Sequence, residues 1–141
     1  ERARADPSQI LGIKVKHALW DLEHGTRLTV IIRACIALEL TSRYSRVCCE
    51  VMAESRCPNV LYDLVGGLNR SPPHQKILMY ILKTLRNIAQ RGDGLRVIIA
   101  APPAAVVTLT SLLQMYRDHQ EVFLSAARLL QQLVSAHRPS K

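Results

Sequence analysis

Aromatic rings are scarce in this sequence: one Trp, one Phe and four Tyr amount to 4% of 141 residues. Proteins that hold single-stranded nucleic acid stack bases on such rings, so the shortage argues against that class despite a pI near 9.8. Acid is short too. Eleven Asp and Glu face 19 Lys and Arg, for a formal charge of +8, which favours acidic partners: nucleic acid, an anionic membrane or an acidic protein surface. The positive charge is scattered, and no five consecutive residues are basic.

Apolar tracts are interrupted by Arg, Thr or Pro before they reach the ~20 residues of a membrane span. The opening "ERARADPSQ" has no apolar leader region, and its initial Glu suggests a piece of something larger. The four cysteines, Cys35, Cys48, Cys49 and Cys57, make no C-x-x-C pair and have no His at ligand spacing. The spacing argues against zinc and predicts reduced thiols in a cytosolic or nuclear protein, at least one of Cys48 and Cys49 being buried in a helical face. The acid–base candidates Asp63, Asp93, His74 and His119 are spread over loops and separate helices. They lack a Gly-rich phosphate loop, a nucleophile motif or paired carboxylates, so neither an enzyme nor a cofactor is expected. His74 reads as a first-turn helix residue, and Trp20 as the hydrophobic anchor of the leading helix.

Apolar residues, in contrast, make up 48% of a chain long enough for one compact domain. Their spacing is helical throughout. Pro7-Ser8 opens a first helix with Leu11, Val15, Ala18 and Leu22 on one side, and Gly25 ends it in a left-handed conformation. Thr26 caps a second helix with Val30, Ala34, Ala37 and Leu40. A short helix follows over residues 47 to 53, and Asn59 caps another through Leu68. After the "GLNRSPPH" loop, a long helix covers residues 73 to 91, and "GDG" breaks it. Residues 95 to 101, 102 to 117 and 120 to 136 form three more helices. "RVIIA" and "VVTLT" are β-branched enough to be strands, although their flanks favour helix. Residues 1 to 8 are expected to be a disordered lead, 9 to 137 a single domain, and 138 to 141 a frayed tail.

The chain also repeats. A shift of 45 places Leu64 on Leu109, Leu82 on Ala127, Leu85 on Leu130 and Ile88 on Leu133; a shift of 48 places Ala34 under Leu82 and Ala37 under Leu85. Each unit is a short, a medium and a long helix, the order of armadillo or HEAT repeats. The expected fold is therefore an all-α solenoid, right-handed, of about two and a half such repeats behind an N-terminal capping helix. On the long helix "KILMYILKTLRNIAQ", Lys76, Tyr80, Lys83 and Asn87 form a polar stripe opposite its leucines and isoleucines. The stripe continues as Arg128 and Gln132 in the last unit, while its first-unit counterparts are Leu28, Ile32, Cys35 and Glu39. Those apolar counterparts require a lid, which the leading helix supplies. Lys76, Tyr80, Lys83, Asn87, Arg128 and Gln132 are thus the candidate partner-binding residues. They form either a plain solvated face or a site for an acidic segment, such as a tubulin tail or an acidic helix. Glu39 and Gln132 at the positions matching Asn87 break the asparagine ladder of an extended-peptide groove.

The stretches "LELTSRYSRVCCEVMAES" and "LYDLVGGLNRSPPHQKILMYILKTLRNIAQ" resemble the C-terminal region of the abnormal spindle family. The likeness runs from about residue 9 to 137 and is strongest over residues 41 to 90. It implies a large cytoskeletal protein with calponin-homology domains, calmodulin-binding IQ motifs and an armadillo-like end. Such proteins gather at spindle poles and microtubule minus ends and organise the mitotic spindle. No IQ motif occurs here, so calmodulin is expected upstream of this piece. The resemblance carries no catalytic residue.

Overall fold

The computed structural model describes residues 7 to 136. Among them are eight α-helices and no strand: α1 (Pro7–His24), α2 (Leu28–Tyr44), α3 (Arg46–Glu54), α4 (Cys57–Gly66), α5 (Pro72–Ala89), α6 (Asp93–Ala100), α7 (Ala104–Met115) and α8 (Gln120–Ala136). Helix begins at Pro7, inside the lead expected to be unstructured, while residues 1 to 6 and the expected tail at 138 to 141 lie outside the described residues. Both β-branched segments are helical, in α6 and α7. Tertiary contact overrides their propensity: Ala105, Leu109, Leu112 and Tyr116 are buried at spacings that only a helix brings to one side.

The helix starts differ in detail from expectation. Arg27, not Thr26, is the N-cap of α2, and it contributes no side-chain hydrogen bond. Asn59 is exposed as the third residue of α4; the Ser55 hydroxyl instead accepts from the Cys57 N–H at 3.2 Å. Ser45 accepts the Cys48 N–H at 3.1 Å and caps α3. Gly25 does not take a positive φ, which among the described residues belongs to Gly92 alone, at 147°. A Cβ on Gly25 would collide with the Asp21 carbonyl oxygen, so glycine serves close approach there rather than handedness.

The long helices lie in the order α1, α2, α5, α8, each packed on the next, with the shorter helices behind them. Val15, Ala18 and Leu22 of α1 are buried against the rest, so α1 does cover one end. Trp20 is not its anchor: the ring is 61% exposed and stacks on His24 with centroids 4.5 Å apart. Tyr62 ties the short helices together by donating its hydroxyl to the Ile99 carbonyl at 2.7 Å. The buried residues Ile77, Ile81, Thr84 and Ile88 of α5 recur in α8 as Val122, Ala126, Leu129 and Leu133, at the shift of 45 read from the sequence. Arg128 is exposed like Lys83, and Gln132 half-buried like Asn87.

Candidate functional site: the seam between α2 and α5

Ordinary helix pairs meet through apolar side chains, but α2 buries Glu39, Thr41 and Ser42 as well. Thr41 and Ser42 satisfy their hydroxyls on their own helix, donating to the Ala37 and Glu39 carbonyls at 2.9 Å. Glu39 is only 3% exposed and needs partners from elsewhere. Arg43, one turn on, clamps both of its carboxylate oxygens. The third partner crosses from α5. The Asn87 amide donates to Glu39 Oε2 at 2.9 Å, to the Glu39 carbonyl at 3.3 Å and to Ser42 Oγ at 3.0 Å.

The Arg43 hydrogen bonds are the main reason the Glu39 carboxyl titrates below the usual range. Burial opposes them, while Asn87 and the positive charge of Lys83 help. Arg91, following α5, donates to the carbonyls of Ser42 at 3.1 Å and Arg43 at 2.9 Å, satisfying acceptors at the end of α2. Asn87 meets Glu39, and Arg91 meets Arg43; the two chains advance together, so α2 and α5 run parallel.

Above this network the surface dips into a depression of about 380 Å³ lined by Glu39, Arg43, Lys83, Arg86, Asn87 and Gln90. Its one carboxylate is spent inside the network. Lys83 is exposed, with its ammonium 5.9 Å from the Tyr80 ring centre. Arg86 is half-buried, and its Nε has no hydrogen-bond partner. The depression is cationic and carries donors in excess of acceptors.

Of the six residues singled out in the sequence, Lys83 and Asn87 line this depression; Lys76, Tyr80, Arg128 and Gln132 do not. Lys76 and Arg128 are exposed, and Gln132 is half-buried with its Oε1 unpaired. Asn87 is half-buried and is not free as the stripe implied: its amide nitrogen is committed to α2. Sequence reasoning missed Ser42, Arg43, Arg86, Gln90 and Arg91. A signal existed, because Glu39 and Asn87 stand 48 residues apart, one repeat shift, and parallel repeat helices bring such residues side by side.

Several of the other chemistry-bearing groups make local contacts. Burial pushes the Cys35 and Cys57 thiols up to about 12, and Cys49 donates to the Ser42 carbonyl at 3.1 Å. His74 accepts the Asn69 N–H at 3.0 Å, and Asp93 pairs with Arg96 at 3.2 Å. No three His, Cys, Asp or Glu side chains gather as a metal site among the described residues.

Fold and seam define an all-helical chain whose hydrogen-bonded parallel helices display a basic depression. Over 105 residues, 74% of the chain, it is 32% identical to the abnormal spindle-like microcephaly-associated protein homolog of Mus musculus. The homolog of Canis lupus familiaris is 32% identical over 72% of the chain, and that of Ovis aries 34% over 64%. The chain is a region of the abnormal spindle-like microcephaly-associated family. It spans about 3% of the length of these curated relatives. No protein-family model and no solved structure matches it.

Proposed function

We propose that this region is a non-catalytic docking module of a spindle-organising protein, built as an armadillo-like solenoid and acting at spindle poles in mitosis. The names of its relatives support the spindle setting. The order α1, α2, α5, α8, with parallel α2 and α5, supports the solenoid. One observation carries the docking role: Arg43, Lys83 and Arg86 surround a depression whose only carboxylate is already saturated by Arg43 and Asn87. Such a surface favours an acidic segment, of which a tubulin tail on a microtubule is the leading example. The helices hold it in place before the partner arrives, so little ordering is required on this side. Calmodulin, if it acts on the whole protein, acts outside this region.

Co-sedimentation with microtubules tests the reading. Lys83→Glu, at an exposed position, lowers the bound fraction several-fold while lowering the melting temperature only slightly, through the positive charge lost beside Glu39. Adding Arg128→Glu lowers it further only if the contact extends across α5 to α8. Unchanged binding by the folded double variant rejects this face. Nucleic acid is the second reading, favoured by the net charge of +8. A random oligonucleotide bound with a steep salt dependence, beside weak and shallow microtubule binding, would favour it.

A further inference from the structure

Helices α1 and α2 part along one side of their contact and leave a groove of about 500 Å³. Its apolar walls include Leu11 of α1 and Ile36, Leu40 and Tyr44 of α2; Lys14 and Arg33 are its charged residues, and no carboxylate lines it. Leu40 is 43% exposed and Tyr44 76%, both large side chains left in water. Arg33, Ile36, Leu40 and Tyr44 follow one face of α2 for about 16 Å, at 1.5 Å per residue. That length suits anchors spaced at i, i+3 or i+4, and i+7 on an incoming helix.

We propose that this groove is a second docking surface, which takes an amphipathic helix from another protein, with leucine-class anchors on its apolar face and carboxylates along its flanks. The cations choose the flanks: Lys14 stands on one wall and Arg33 on the other, each without a carboxylate in the groove to answer it. The backbone of the walls excludes a strand. Both are helices whose N–H and C=O groups are bonded internally, so an extended peptide would bury amides without partners. A second copy of this chain fits badly, because a two-fold contact would bring the same cations toward their own images. The groove and the basic seam have separate linings but touch at one point: Arg43 of the depression donates to the hydroxyl of Tyr44 in the groove at 3.3 Å and lies 5.2 Å from its ring centre.

The test uses a fluorescein-labelled peptide of about 16 residues, long enough to follow α2, with leucines at i, i+3, i+4 and i+7 and glutamates between. A control of equal composition spaces its leucines by two. Fluorescence anisotropy should show the helical peptide binding about tenfold tighter than the control, and Leu40→Glu and Tyr44→Ala should each weaken it by about tenfold. Arg33→Glu should weaken the glutamate peptide and strengthen its lysine counterpart. Lys83→Glu, a change in the other site, should leave binding unaltered. Amide NMR shifts on titration should cluster on α1 and α2. Equal binding of both peptides, no binding, or indifference to both groove variants would overturn the proposal. So would a dimer of the chain that Leu40→Glu disperses, since the groove would then be filled by a second copy.

Discussion

Helix α5 meets different chemistry on its two sides. Toward α2 it finds a buried carboxylate and answers it with the Asn87 amide, while Arg91 beyond its end takes two carbonyls. Helix α8, packed on its other side, buries Val122, Ala126, Leu129 and Leu133, all apolar. Hydrophobic burial is strong but indifferent to small slides, because one apolar neighbour serves nearly as well as the next. Hydrogen bonds to a buried charge are specific: slide α5 by one residue, and Glu39 loses a partner it cannot replace from water. The α8 contact therefore supplies cohesion, and the α2 contact supplies cohesion together with register. The depression proposed to bind an acidic partner is built on the contact whose register is held.

Breaking the apolar side should have the largest effect. Leu129 is fully buried on α8. Leu129→Ala should cost about 2–5 kcal/mol of unfolding free energy, through lost transfer energy and the cavity left behind. Urea denaturation measures it directly. A loss below 1 kcal/mol would show that the α8 side collapses around the gap and contributes less cohesion than its burial suggests.

The polar side should respond more mildly, and to pH. Asn87→Leu strands one bond to Glu39 and should cost about 1–3 kcal/mol. Glu39→Gln separates charge from shape. The folded carboxyl titrates below its unfolded value, so its contribution is complete above the ordinary carboxylate range and is lost as pH falls through the folded value. The stability gap between the native chain and Glu39→Gln should therefore be widest near neutral pH and close on acidification. A gap independent of pH would mean that the Arg43 clamp adds nothing beyond packing. Because Arg43 is half in water, the effect should also shrink in high salt.

Helix identity was legible because the punctuation is strong: Pro72 and Pro73 open α5, Gly92 at φ 147° separates it from α6, and Pro102 and Pro103 precede α7. Leucine spacing exposed the long helices for the same reason. Caps were less legible, since Thr26, Asn59, Ser45 and Ser55 all have oxygens of the right kind and only the local backbone decides which one reaches an N–H. The register between α5 and α8 was legible because the polar stripe fixes it: the wide apolar side tolerates neighbouring shifts, but only a shift of 45 sets exposed Lys83 on exposed Arg128. The candidate site was half legible. Lys83 and Asn87 were visible as polar residues on an apolar helix, but a sequence cannot display that the Asn87 amide is used up by a buried acid on another helix. Arg86 and Arg91 were invisible because charged residues near helix ends are common and usually solvated.

The smallest expected effect sits where the sequence suggested a large one. Trp20 belongs to α1, whose buried face is Val15, Ala18, Leu19 and Leu22. Two positions beyond Ala18 is about 200° round the helix, which carries the indole away from that face and out over His24. A cap anchor would cost about 3–5 kcal/mol on truncation, whereas an exposed ring should cost within about 0.5 kcal/mol. Trp20→Ala should thus melt close to the native chain. Being the sole tryptophan, Trp20 also reports on itself: its emission should resemble that of indole in water and be readily quenched by acrylamide. A blue-shifted, quencher-resistant emission would place another surface over this side of α1. The outward face would then be a contact of the same cohesive, unregistered kind as α5 makes with α8.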